Sequence, residues 1–259
     1  RQPADPVGFV RGRCAYGPCG DKGRAGDGDA RMKAVVSLNS GSSSIKFALY
    51  TLGNPDSLTL SASGKIEKIG IPPALRIRSV EGEVLIDRDW PDGASLTHAD
   101  LLEDLFAWAT DHLGDRQVVA IGHRVVHGGT RFAAPQRVDA VLLDALEALC
   151  PLAPLHQPHN LAAIRAIARI NPDLPQVVCF DTAFHQTLPA RAYLYALPYE
   201  LYEQDGIRRY GFHGIAHRYA TQGAAALLER ETFTGISCHL GAGASLAAVR
   251  DGRSVDTTM

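Results

Sequence analysis

Arginine, aspartate and histidine recur in this chain beside glycine, in short polar stretches enclosed by apolar runs. In "GHRVVHGG" Arg124 follows Gly122-His123 and precedes an apolar pair, in "FDTAF" Asp181 stands just past an apolar run, and in "GFHG" His213 precedes a glycine. An arginine held beside a buried strand needs an acidic or a phosphate partner. A histidine near a helix start sits in partial positive charge that suits an anion. The stretch "NSGSSS", residues 39–44, offers backbone N–H groups and hydroxyls to one point, as a phosphate requires where side-chain bulk would block its approach. Each feature also has an ordinary use. Gly and Ser form turns, Asp181 can cap the turn after its strand, and Arg124 can simply pair with a carboxylate. Of the other polar candidates, Lys46, His123, His127, His156, His159, His185, His217 and His239, most of the histidines are expected to be capped or surface residues.

The elements that must position these groups follow from apolar periodicity. "AVVSL" and "IKFALY" read as strands flanking the Gly/Ser loop, the second with Ile45, Phe47 and Leu49 on one face. Strand-like runs continue through residues 75–80 and 84–86 around Glu81-Gly82. Thr97, with Asp100 three residues on, predicts a helix N-terminus, the helix running through Leu101, Leu102, Leu105, Phe106 and Ala109 to a stop at Gly114. "QVVAI" then reads as a strand leading into the polar loop "GHRVVHGGTRF". Helices are expected around 139–149 and over 160–170, with "QVVCF" as a buried strand whose carboxyl end carries Asp181, where open α/β sheets place ligands. A further helix is expected around 215–229, and then a strand, a small-residue turn, a strand, and a third strand beyond Asp251-Gly252. This last layout repeats the opening one after about two hundred residues, the mark of two related domains.

Bulk properties narrow the partners. The 259 residues are 46% hydrophobic and 21% charged, ordinary for a globular protein. A net charge of −2 gives no basic field for nucleic acid or an anionic membrane. The five cysteines are odd in number and mostly scattered, which fits a reducing compartment better than a disulfide framework, and no apolar stretch approaches a membrane span. The chain is expected to be cytoplasmic. Residues 1–31, rich in Gly, Arg and Asp, read as a disordered leader, in which Cys14 and Cys19 lack the second pair a zinc site needs. No "GxxxxGK[ST]" occurs, and "GAGASL" matches the dinucleotide fingerprint only in part.

Six motifs in order, "SLNSGSSSIKF", "GHRVVHGG", "PLAPLHQPHN", "FDTAFHQTLP", "DGIRRYGFHG" and "HLGAGAS...VDTTM", resemble acetate kinases over residues 33–259. The resemblance implies an α/β fold of two ribonuclease-H-like, actin-like ATPase domains. The first would cover 32–182, and the second would begin at 183 and remain incomplete at 259. It implies Mg2+-dependent (or Mn2+-dependent) reversible phosphoryl transfer from ATP to acetate, with propionate or butyrate as alternative acids, a catalytically inactive fragment as another reading, and a homodimer for the full-length protein. A sugar kinase of the same fold fits less well, because "FDTAFH" and "GFHG" point to the carboxylate branch.

Carried onto this chain, the resemblance places Asn39 near the metal and the phosphates, with Ser42, Ser44 and Lys46 supporting that loop. It gives Arg124 the carboxylate or the phosphoryl group, His156 and His213 the phosphoryl group, and Asp181 the positioning of metal and substrate. Val126, Leu155 and Phe212 would line the acyl pocket, and His239, Gly241 and Gly243 the phosphate side. Where the family pattern reads "HLGNG" this chain has Ala242, which removes one side-chain amide from that side.

Overall fold

The computed structural model describes residues 33–53, 57–113 and 117–259. The leader with Cys14 and Cys19 and the helix stop at Gly114 lie outside the described residues. Alternation in "KAVVSLNS" buries Ala34, Val36 and Leu38 on one face of β1 (Lys33–Ser40) and turns Val35, Ser37 and Asn39 to the other. β2 (Ser44–Gly53) buries Ile45, Phe47 and Leu49, the face expected from the sequence. Asn39 pairs with Lys46 and Ser40 with Ile45, so the hairpin turn is only residues 41–43, closed by the Gly41 N–H donating to the Ser44 carbonyl at 2.8 Å. Half of the expected six-residue loop is therefore ladder: Asn39, Ser40 and Ser44 are strand residues, held by cross-strand bonds.

β3 (Ser57–Glu67), β4 (Ala74–Ser79) and β5 (Val84–Asp89) extend this meander. α1 (His98–Leu113) opens on the expected capping box. The Thr97 N–H and hydroxyl both donate to the Asp100 carboxylate at 2.8 Å, and the Asp100 N–H returns a bond to the Thr97 hydroxyl. β6 (Gln117–Val125) follows, then the two-residue β7 (Gln136–Arg137) and α2 (Ala140–Glu147), which Asp139 caps by accepting from the Leu142 N–H. α3 (Gln157–Ile170) starts three residues before the predicted point, with Pro158 in its first turn, and leads to β8 (Gln176–Phe180).

The eight strands form one mixed sheet in the order β5-β4-β3-β2-β1-β6-β8-β7, with β1, β6 and β8 parallel. α1 and α3 pack on it, joining Leu101, Leu102 and Leu105 to Ala163, Ala166 and Ile167 and to the buried faces of β1–β4. A second cluster around Phe180, Val125, Leu146 and Ile164 lies under α2. Beyond β8 come a 3-10 turn (Ala183–Thr187), the short α4 (Ala190–Tyr193) and α5 (Tyr199–Asp205), both unread in the sequence, and then α6 (Gly214–Leu227). β9 (Gly235–Leu240), β10 (Ala244–Arg250) and β11 (Arg253–Thr257) form the expected three-stranded meander.

The ends of β1 and β6 are tied together by one residue of α3. The Asn160 carboxamide accepts the Val126 N–H at 3.0 Å and donates to the Ser40 carbonyl, all in a buried setting. Asn160→Ala orphans two buried backbone groups at roughly 1–3 kcal/mol each. Urea denaturation should show a loss of about 3 kcal/mol, and a loss within the scatter of an exposed substitution would contradict this role.

Candidate active site

Strand periodicity brings the predicted polar residues together. Arg124 lies between His123 and Val125, which are buried in the core-facing row of β6, so its side chain leaves by the opposite face. β6 runs parallel to β1 with His123 opposite Leu38, which places Arg124 beside Asn39, itself on the non-core face of β1. β8 pairs with the other side of β6, Val125 opposite Phe180, so Asp181 emerges one residue past the ladder. The Asp181 N–H donates to the Val125 carbonyl at 3.1 Å, fixing it there. The carboxyl ends of three parallel strands thus deliver Asn39, Arg124 and Asp181 to one point. The sequence places Arg124 in a loop; the strand in fact runs through it to Val125, because the alternating burial of Ile121, His123 and Val125 carries the ladder on.

The Arg124 guanidinium donates from Nε to both Asp181 oxygens at 3.0 and 3.2 Å, from Nη2 to Asp181 Oδ2 at 2.6 Å, and from Nη1 to Asn39 Oδ1 at 3.2 Å. Asp181 is 1% exposed and the Arg124 side chain 33%. Burial works against the charge on Arg124, but the hydrogen bonds and charge of Asp181 outweigh it and raise its pKa above the ordinary value. A guanidinium has five N–H donors. With Nε, one Nη1 and one Nη2 hydrogen engaged, one on each terminal nitrogen is left for an anion.

The same Asp181 positions the second half of the site. Its backbone carbonyl accepts the Gly214 N–H at 2.9 Å, at the first residue of α6. A Cβ on Gly214 would lie 2.0 Å from that oxygen, so the close approach demands glycine. The preceding N-cap, His213, has φ +56°, a left-handed conformation costing a non-glycine residue about 1–2 kcal/mol. Its ring is tilted against His239, with centroids 4.3 Å apart, and a Cβ on Gly243 would lie 3.7 Å from its Nε2. His213 therefore borders the turn of residues 241–243. Burial first, then the charges of His239 and Arg124, lower its pKa against the opposing pull of Asp181.

The remaining predicted residues lie around this centre or apart from it. Lys46 is exposed across the ladder from Asn39, Ser42 is exposed at the hairpin turn, and Ser44 is partly buried. Val126 is buried, and Phe212 stands edge-on to His127 with centroids 5.6 Å apart. Leu155 is 74% exposed. His156 is exposed at the N-cap of α3; its charge is felt by His159, which stacks on His98, and among the described residues nothing joins His156 to Arg124, Asp181 or His213. Gly241, Ala242 and Gly243 form the exposed turn between β9 and β10.

The histidines overturn the surface expectation. His123, His127, His185 and His217 are each at most 3% exposed. His123 Nε2 lies 2.7 Å from Gln176 Oε1, His127 Nδ1 accepts the Gly129 N–H, and His185 bridges Ser254 and the Phe212 carbonyl. Asn160, Gln176, Ser245 and Ser254 went unread in the sequence, because a polar residue that serves a buried backbone group or imidazole has the same local pattern as one at a turn.

Among the described residues no group of three or more His, Cys, Asp or Glu is placed to hold a metal. Asn39 Oδ1 and the Asp181 carboxylate are oxygen donors converging on one point, each with lone-pair capacity beyond its bonds to Arg124. That donor chemistry fits a magnesium ion carried mainly by phosphates and waters, which asks the protein for only one or two oxygens. No described helix is long and apolar enough to cross a membrane.

Fold and site together define an actin-like α/β chain of the kind found in small-molecule kinases. It is similar to a propionate kinase from Francisella tularensis, with TM-score 0.77 and 40% identity over 88% of this chain and 57% of that one. It is likewise similar to the Porphyromonas gingivalis acetate kinase, with TM-score 0.74 and 37% identity over 87% of this chain and 57% of the other. The acetokinase family model matches residues 34–259, and the chain belongs to that family. An acetate kinase of Arthrobacter sp. strain FB24 is 49% identical over 227 residues, 87% of this chain and 55% of that protein. The chain spans about half the length of the curated relatives it matches.

The buried histidines make stability depend on pH. Burial pushes the pKa values of His123, His127 and His217 down to about 4, against 6.5 for an ordinary histidine. Above pH 6.5 neither state is protonated and their contribution is complete. As pH falls from there, the unfolded chain binds protons that the folded chain refuses, and stability is lost until about pH 4, where the folded state protonates too. Each histidine adds a slope of at most about 1.4 kcal/mol per pH unit. His123→Gln should flatten the fall in unfolding free energy between pH 6.5 and 4; an unchanged slope would contradict the burial argument.

Proposed function

We propose that this chain carries the acid-binding and phosphoryl-binding part of an acetate kinase, transferring the γ-phosphoryl group of ATP reversibly to acetate. The observation that supports the reading best is the Arg124–Asp181–Asn39 cluster at the ends of three parallel strands, with two guanidinium N–H donors left for an anion. We infer the domain division at 182/183 and the carried-over residue roles on the same footing, and a homodimer for the family's full-length protein.

Acetate is ionised at neutral pH, since carboxyl pKa values lie near 4, so the reaction needs no strong base. An acetate oxygen attacks the γ-phosphorus, the new O–P bond forms as the bond to the bridging β–γ oxygen breaks, and the electron pair leaves on ADP. Little covalent work falls to the protein, whose contribution is alignment and charge around the equatorial oxygens. Arg124 holds the carboxylate or the phosphoryl group with its two remaining donors, and Asp181 and Asn39 stop the guanidinium from turning away. His213 faces the glycine turn, where backbone N–H groups of residues 241–243 are open to a phosphate despite the missing side-chain amide at Ala242. Val126 and Phe212 bound the acyl side, and the roles of Leu155 in the acyl pocket and His156 at the phosphoryl group rest on the resemblance alone. Magnesium, when bound through Asn39 and Asp181, neutralises charge on the phosphates.

The solved propionate kinase among the similar structures makes propionate the rival acid. Incubation of the chain with ATP, Mg2+ and acetate, propionate or butyrate, trapping acyl phosphate with hydroxylamine, should give most product with acetate. Arg124→Ala should lower it about 10²-fold, the effect of losing one preorganised donor. Absence of product from folded chain, or a near-normal rate in the variant, would overturn the reading.

A further inference from the structure

His213, His217, Ser237 and Ser245 form a chain of hydrogen bonds leading away from the site. The spacing of the elements produces it. His213, the N-cap of α6, and His217 in its first turn both reach Ser245, while on β9 and β10 Ser237 and Ser245 point to the face that α6 covers. His217 Nδ1 lies 2.9 Å from Ser237 Oγ and His217 Nε2 lies 2.8 Å from Ser245 Oγ. The same Ser245 oxygen lies 2.9 Å from His213 Nδ1. Ser245 is 0% exposed and His217 1%, so water cannot stand in for either partner.

We propose that Ser245 and His217 are positioning residues that fix His213 as the tautomer carrying its proton on Nε2, making it a neutral donor directed at the 241–243 turn. A serine hydroxyl has one hydrogen, and a neutral imidazole has one N–H and one lone pair. Ser245 could also accept from both rings, but its own hydrogen would then lack an acceptor among the described residues in a site closed to water, so two directions remain that use it. In one, His213 donates from Nδ1 to Ser245, Ser245 to His217, and His217 to Ser237, which leaves a lone pair on His213 Nε2. That lone pair would face the place where Arg124 and the turn's N–H groups gather an anion, and it would repel the anion. In the other, the Ser237 hydroxyl donates to His217 Nδ1, His217 Nε2–H to Ser245, and the Ser245 hydroxyl to His213 Nδ1, leaving Nε2–H free for a phosphoryl oxygen. Both directions keep both rings neutral, in keeping with the burial of His217, which pushes its pKa down to about 4; only the second presents a donor to the anion. The left-handed backbone at His213 is the local cost of aiming the ring along this line.

The proposal rests on the phosphoryl-binding reading of the site, but its test does not depend on turnover. Two-bond proton–nitrogen spectra of the chain labelled with 15N-histidine, with His213 assigned through His213→Gln, read which ring nitrogen carries hydrogen. His213 should show Nε2 protonated and Nδ1 as an acceptor. In Ser245→Ala the ratio of the two tautomers should move by about fivefold or more toward Nδ1–H, the equivalent of one neutral hydrogen bond, whereas Ser245→Thr, which keeps the hydroxyl, should restore the wild-type ratio. Nδ1–H in the wild-type chain would overturn the proposal, as would an unmoved ratio in folded Ser245→Ala. Should Ser245→Ala fail to fold, the wild-type spectrum decides alone. A chain with the Nε2–H tautomer and no acyl phosphate formation would sink the functional reading while the tautomer assignment stands.

Discussion

The structure depends on a carboxylate that has been taken out of water. Asp181 is 1% exposed, and its charge is met by three contacts from a single guanidinium. Removing one partner of such a pair strands the other, at a cost of about 3–5 kcal/mol, a large share of the roughly 5–15 kcal/mol that holds a domain folded. Several features follow from satisfying it. β6 and β8 must be neighbours and parallel, so that Arg124 and Asp181 leave the sheet at the same end. α3 must lie where Asn160 can lock the ends of β1 and β6. α6 must begin at a glycine, because the backbone of Asp181 is already against it.

The pair also links the two halves of the site. The Asp181 side chain fixes Arg124, and its carbonyl anchors the start of α6, where His213 meets the β9–β10 turn. The adjoining 3-10 turn adds a second tie, with His185 and Thr187 bonding Ser254 of β11. One strand end thereby sets the distance between Arg124 and the β9–β10 turn. This gives Asp181 a mechanical part in addition to the metal-organising one inferred from resemblance.

Much of the architecture was legible because it rests on periodicity and local chemistry. The alternation of Ile45, Phe47 and Leu49, the Thr97–Asp100 box and the Asp251-Gly252 turn are short-range signals that tertiary packing did not override. The misreadings arose where a long-range partner decides. Gly122-His123-Arg124 has loop-like composition, yet it is strand because β1 and β8 flank it on both sides. Half of "NSGSSS" is ladder because Asn39 and Ser40 find partners across the hairpin and Ser44 finds one on β3. Arg124 and Asp181 were each recognisable as candidates, but 57 residues separate them and no local pattern joins them. The buried histidines were hidden for the same reason, since each is satisfied by a residue at least 20 positions away or by a turn that forms only in the fold.

The central claim is that Asp181 acts on the ligand through Arg124. A double-mutant cycle with Arg124→Ala, Asp181→Ala and the pair together, reading the calorimetric affinity of this chain for acetyl phosphate, addresses it directly. The account predicts strong coupling: Asp181→Ala weakens binding when Arg124 is present and has little further effect once Arg124 is gone, an interaction energy of about 1–3 kcal/mol. Additive losses from the two substitutions would contradict it, and would mean that Asp181 and Arg124 meet the ligand independently.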